Sequence, residues 1–191
     1  MNIWTSRTKG RSRKGDRAVS IVEGQRGSNI TICLAVSDRL GLVHSLILEG
    51  GMTKDRFSDF LSELVELLAT QEEQFVILCD NATSHVNAPN IRGHGSVRYL
   101  PKYSPFLNAC EMAGSSLKAA LKRRLTEPVV QQEIYERDAP RIETLRDRRV
   151  KILRREVELS MDVITPQKCT QWVNHIMTYL PMCLREADIF A

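Results

Sequence analysis

The chain has 191 residues, 42% of them hydrophobic and 26% charged, an ordinary globular composition that argues against disorder and suffices for one domain with a sizeable core. No stretch approaches the roughly 20 apolar residues of a membrane span, and Met1 leads into Asn-Ile-Trp and basic residues rather than an apolar segment, so neither a membrane partner nor a secretory signal is expected. The net charge of +4 is unevenly spread, and five scattered cysteines without a close pair point to reduced, buried thiols of an intracellular protein and away from a structural zinc site.

Residues 1–17 read as a strand remnant entering a basic loop, in which Gly10 and Gly15 flank Arg11, Ser12, Arg13 and Lys14. Arg17 to Glu23 is expected to add an early strand. Residues 28–36, rich in β-branched and apolar side chains, predict a strand. A turn at Ser37 to Gly41 and a returning strand over 42–50 complete a hairpin. Thr53 is placed to cap a helix whose apolar face is Phe57, Phe60, Leu61, Leu64 and Leu68. The continuous apolar run Phe75 to Cys79 predicts a buried parallel strand, and 96–100 a further short strand. A helix follows over about 108–125. A longer one spans 141–164, with Val150, Leu153, Val157, Met161 and Ile164 on one stripe. Thr165-Pro166 restarts a helix as cap and first position, and Pro181 is expected to stop it. Hairpin, helix, strand, strand, helix is the order of a mixed α/β sheet.

Three groups of cations could serve a polyanion, because each Lys or Arg that neutralises a phosphate releases condensed counterions. Residues 7–17 hold Arg7, Lys9, Arg11, Arg13, Lys14 and Arg17 against the single acid Asp16. A second group is Lys118, Lys122, Arg123 and Arg124. The third, Arg146, Arg148, Arg149, Lys151, Arg154 and Arg155, is interleaved with Glu143, Asp147, Glu156 and Glu158. For that group a nucleic-acid surface and a self-neutralised helix face stand equal.

Two carboxylates stand where chemistry is commonly placed. Asp80 directly follows the predicted buried strand, at the end that opens into a ligand crevice in α/β sheets. Alone it is as readily the start of an Asp-Asn turn. Glu111 falls in the first turns of the helix after a proline-punctuated loop. Lys118 and Lys122 follow it by seven and eleven residues, which at about 100° per residue puts all three on one stripe within roughly 20°. That suits a metal ligand backed by phosphate contacts, and it equally suits an acid favoured by the helix dipole on a solvated face.

The blocks ILCDNATSH (77–85) and LPKYSPFLNACE (100–111) resemble the second and third acidic blocks of the Tc/mariner superfamily of DDE transposases. The second block matches the family pattern at Leu100, Pro101, Tyr103, Ser104, Pro105, Leu107, Asn108 and Glu111. The stretch from Trp4 through the hairpin to Phe57 also resembles the segment after the family's first catalytic strand, so the likeness covers roughly residues 1–125. It implies an RNase H-like mixed sheet flanked by helices, in which three carboxylates hold two divalent metals, Mg²⁺ or Mn²⁺. Water or a DNA 3′-hydroxyl attacks a phosphodiester in line. Asp80 and Glu111 carry over as the second and third members of that triad, as catalytic residues and as metal ligands. Phe106 stands where the family often has Asp, and Ala109-Cys110 where it has Pro-Ile, both peripheral departures.

The first aspartate of the pattern would end a strand a few residues before Trp4. The expectation is therefore a core whose first central strand is missing or partial, since neither Asp16 nor Glu23 has the matching context. The family's helix-turn-helix modules that read transposon ends are likewise not found. The domain reading is a catalytic-core region over 1–127 and a helical C-terminal extension over 128–191. The functional reading is a transposase-derived, nucleic-acid-binding DDE domain, inactive as a cleavage enzyme. The alternatives are a non-catalytic DNA or chromatin adaptor, or an incomplete gene reading of an intact transposase. DNA is the expected partner, bound through Lys118, Lys122, Arg11, Arg13 and Lys14; a homodimer is allowed for, and no small-molecule cofactor is implied. The basic run at 7–17 and the DNA chemistry point to the nucleus.

Overall fold

The computed structural model describes residues 1, 11–17, 19, 29–70, 74–83, 85, 95–136 and 144–185. The strands expected near the N-terminus and at Arg17 to Glu23, with Arg7 and Lys9, lie outside the described residues, apart from Met1, Arg17 and Val19.

The chain builds β1 (Ile30–Ser37), β2 (Gly41–Glu49), α1 (Lys54–Ala69), β3 (Phe75–Cys79), β4 (Gly95–Tyr99), α2 (Ala109–Arg124), α3 (Pro128–Tyr135), α4 (Leu145–Ser160), α5 (Pro166–Met177) and α6 (Leu180–Leu184). β1 and β2 pair antiparallel from Ile30↔Glu49 to Ser37↔Gly41, with a register shift between Ala35 and Val36. β3 and β4 pair parallel, Phe75↔Gly95 through Cys79↔Tyr99. Among the described residues these are two separate two-stranded ladders rather than one continuous mixed sheet. Met1 makes a single rung on the free edge of β1. Its amino group donates to the Ile30 carbonyl at 2.6 Å, and the Ile30 N–H donates back to the Met1 carbonyl at 2.7 Å.

Helices cover both faces of the hairpin, which is why β1 reads as a nearly continuous apolar run rather than an alternating one. On one side Phe57, Phe60, Leu61 and Leu64 of α1 pack with Cys33, Ala35 and Val43, and with Ile77, Cys79 and Val97 of the parallel pair. On the other side Ile30 and Ile47 join Leu121, Leu125, Val130, Ile134, Ile152, Leu153 and Val157. Leu34, Val36 and Leu42 meet Ala113, Ile164 and Cys169. The C-terminal helices thus share a core with the hairpin. Burial of this kind is worth roughly 25 cal/mol per Å² of apolar area removed from water.

The helix caps follow the sequence. Thr53 accepts from the Arg56 N–H, Asn108 from Cys110, Thr144 from Asp147 and Thr165 from Lys168. Three readings change. β3 is parallel as expected but buried on one face only: Val76 and Leu78 are each 59% exposed, because α2 to α5 cover the hairpin side and no described element reaches β3 there. Pro181 does not stop α5, which ends at Met177; a proline has no N–H to lose in a first turn, and Pro181 stands in the first turn of α6. The short α3, opened by Pro128, carries little signal in the sequence because it follows α2 after only three residues and offers two apolar anchors, Val130 and Ile134.

Candidate metal and nucleic-acid site

β3 ends at Cys79, and the chain leaves it through Asp80 and Asn81. The Leu100 N–H donates to the Cys79 carbonyl at 2.8 Å, and the Asn81 side-chain amide donates to the Leu100 carbonyl. The exit from β3 and the exit from β4 are thereby tied together. Asp80 Oδ1 accepts from the Ala82 N–H at 3.1 Å, the side-chain turn that Asp favours. The same oxygen lies 2.5 Å from His85 Nδ1. The imidazole stacks on Phe57 of α1 with ring centroids 4.0 Å apart, and the His85 carbonyl accepts from the Tyr99 hydroxyl at 2.8 Å. The carboxylate itself remains half-exposed.

From Leu100 the chain runs through a loop to Asn108, the cap of α2. Glu111 lies in the first turn of that helix and is exposed. Among the described residues no cation is within ion-pair distance of it. Ala113, Leu117, Ala120 and Leu121 bury the opposite side of α2, so Glu111 and Lys118 are exposed and Lys122, on the same stripe, is half-buried. Arg123 is exposed beside it, whereas Arg124 of the same group pairs with Glu156 at 2.8 Å.

Three thiols come from β1, β3 and the first turn of α2: Cys33, Cys79 and Cys110. Burial, with the neighbouring thiols and Asp80 adding to it, pushes Cys33 up to about 12. Burial also raises Cys79 and Cys110 to about 11 each. Cys110 Sγ donates to the Leu34 carbonyl of β1 at 3.4 Å. The negative charges of Glu111 and Asp80 both oppose ionisation of Cys110, so both carboxylates stand within electrostatic reach of one thiol.

Arg11, Arg13 and Lys14 are exposed on their own turn, closed by the Asp16 N–H to the Arg13 carbonyl at 3.0 Å and by Gly15 at φ +98°. No described hydrogen bond or ion pair joins that turn to α2. The third basic group is committed within the fold. Arg148 pairs with Glu136, Arg149 donates to the Ile134 carbonyl, Arg154 to the Ile47 carbonyl, and Arg155 pairs with Glu133 and Glu156. Arg146 and Lys151 have partners too. The choice left open for that group falls to a face bound within the fold, with Arg148 and Arg155 neutralised by acids and Arg149 and Arg154 held by main-chain carbonyls.

A hard divalent cation would take oxygen donors, and Asp80 and Glu111 are of that class. The described residues contain no cluster of three or more His, Cys, Asp or Glu that could hold a metal, so a full three-carboxylate metal pair does not fit them. His85, Phe57 and Tyr103 were not singled out as site residues. His85 was visible five residues after Asp80 in ILCDNATSH, but its contact with Phe57 is made across the fold.

Residues 1–131 match the family model described as DDE superfamily endonuclease. No curated protein matches the chain. Among solved structures the chain resembles the Mos1 mariner paired end complex with Mn (16% identity, TM-score 0.62) and the Mos1 strand transfer complex (17% identity, TM-score 0.62). A third is the Mos1 transposase paired-end complex with left transposon end (16% identity, TM-score 0.59). The match covers 97%, 97% and 95% of this chain and 52%, 52% and 50% of those chains, so the chain spans about half their length. At such identity the likeness speaks for the fold, and the RNase H-like α/β expectation is met.

Proposed function

This chain belongs to the DDE superfamily endonucleases, and on that footing we propose that it is a transposase-type DNA-binding domain whose cation stripe on α2 holds the phosphate backbone next to Asp80 and Glu111. The observation that carries the reading is the stripe of Glu111, Lys118 and Lys122 on the side of α2 opposite its buried face, with Glu111 and Lys118 exposed. Arg11, Arg13 and Lys14 supply a second exposed basic surface. Asp80 and Glu111 are the residues that would hold Mg²⁺ or Mn²⁺. The described residues contain no cluster of three or more His, Cys, Asp or Glu that could hold a metal, so these two carboxylates do not by themselves complete a metal pair.

The test is duplex binding as a function of salt. Non-specific affinity of about 10⁻⁴–10⁻⁶ M is expected, falling steeply with ionic strength. Each phosphate contact contributes about 0.9 to the slope of log K against log salt, so Lys118→Ala with Lys122→Ala should flatten it by roughly 2. An unchanged affinity and slope would reduce the stripe to a solvated helix face. The lack of a three-ligand cluster among the described residues favours a second reading, a DNA-binding domain without catalysis. Mg²⁺-dependent strand cleavage by this chain, lost in Asp80→Asn, would exclude that second reading.

A further inference from the structure

We propose that Tyr103 is a base-stacking residue: the loop between Asp80's strand pair and Glu111's helix presents its ring to an unpaired nucleobase of the DNA strand held at those carboxylates. The inference rests on the DNA-binding reading above and deepens it by naming what the site takes besides phosphate.

Tyr103 is 97% exposed, the most exposed of the large apolar or aromatic side chains described. Its backbone is also left-handed, φ +61°, and it is the one non-glycine residue with positive φ among the described residues. A tyrosine adopts that region rarely, because its Cβ crowds the adjacent carbonyl, and it persists there only where the surroundings fix it. The surroundings do fix it. Pro101 and Pro105 lock their own φ on either side. Ser104, itself buried, donates from Oγ to the Pro101 carbonyl at 2.6 Å. The N–H groups of Leu107 and Asn108 close onto the Ser104 and Pro105 carbonyls at 3.1 and 3.0 Å. None of these bonds uses the Tyr103 side chain, and no packing within the fold explains its orientation.

Position supplies the ligand. The loop is pinned at its start by Leu100, bonded to Cys79 and Asn81 on either side of Asp80, and at its end by Asn108, which caps the helix of Glu111. Lys102 is exposed beside Tyr103, and Lys118 is exposed on α2. An exposed aromatic ring on a backbone fixed at both ends, between the strand end of Asp80 and the helix of Glu111, suits a base flanked by phosphates. Aromatic side chains stack on bases irrespective of sequence, because every base has a π-face. Stacked bases inside a duplex offer none, so the ligand is a single strand, a flap or an extrahelical base.

The experiment uses the whole chain, a duplex carrying one unpaired 2-aminopurine, and the fully paired duplex of equal length. Wild type should bind the bulged DNA more tightly and quench its 2-aminopurine fluorescence, and Tyr103→Phe should retain both effects. Tyr103→Ala should lose roughly 5- to 100-fold on the bulged DNA, the range of one base–aromatic stack. Its affinity for the paired duplex should stay within about twofold. Tyr103→Leu, similar in bulk but without a π-face, should behave as Ala does and replaces it if the Ala variant fails to fold. Unchanged quenching and affinity in these variants, or equal losses on both DNAs, would overturn the proposal while leaving DNA binding intact. If wild type binds neither DNA, the underlying reading fails first and the proposal with it.

Discussion

His85 Nδ1 lies 2.5 Å from Asp80 Oδ1 at the end of β3 while its ring lies flat on Phe57 of α1, so one imidazole links the candidate carboxylate to the core. Phe57 is 4% exposed, and the ring of His85 forms part of its cover. His85→Ala removes a hydrogen bond and an aromatic contact, each worth about 0.5–1.5 kcal/mol, and should destabilise the fold by about 1–3 kcal/mol in urea unfolding. Asp80→Asn keeps the acceptor for Ala82 and should lose less. A reversed order would show that the carboxylate, and not the ring, carries this link.

Glu156 is 2% exposed and accepts from Arg124 Nε and Arg155 Nε, both at 2.8 Å. Glu156→Ala would leave a guanidinium without its partner beside a buried gap. A loss of about 1–3 kcal/mol is expected by chemical denaturation, since both arginines keep contact with solvent. Arg155 is 46% exposed, so Arg155→Ala should lose less than about 1 kcal/mol. Equal effects would mean that Glu156 is solvated in solution.

Burial pushes the Cys33 thiol up to about 12 and those of Cys79 and Cys110 up to about 11, against an ordinary 9.0. Folding holds these thiols neutral, so the unfolded chain gives up its protons first. The stability they contribute is complete below about pH 9 and is lost as pH rises through 9 toward 11 and 12. Melting temperature should therefore fall over that window, less steeply in Cys79→Ala than in wild type. Parallel curves would show that Cys79 is not held neutral.

Gly41 opens β2 at φ +76°, and a Cβ there would lie 2.9 Å from Pro166 Cδ and from the Pro166 nitrogen at the start of α5. Backbone strain and a clash against main chain act together in Gly41→Ala, which should destabilise by at least about 1–3 kcal/mol. Gly50→Ala, at φ +84° with open space around it, carries the strain alone and separates the two effects by thermal melting. Equal losses in the two variants would remove the Pro166 contact from the account.

The sequence by itself marked most of the elements and several of their starts. Apolar periodicity marked α1 through Phe57, Phe60, Leu61 and Leu64, and side-chain oxygens at Thr53 and Thr165 marked helix starts, because these are local effects written within a turn or two of chain. It also located Asp80 at a strand end and Glu111 in a first turn, and the stripe that Lys118 and Lys122 share with Glu111 follows from helix pitch alone. Only the tertiary structure decided which charges remain available. In sequence Arg148, Arg154 and Arg155 could equally form a polyanion surface or a self-neutralised face, and each is satisfied by a group 12 to 107 residues away. The exposed face of β3 and the stacking of His85 on Phe57 were undecidable for the same reason: burial and partnership depend on which distant elements arrive, and no local pattern records that. The left-handed backbone of Tyr103 belongs there too, since tyrosine has no preference for it and the surrounding loop imposes it.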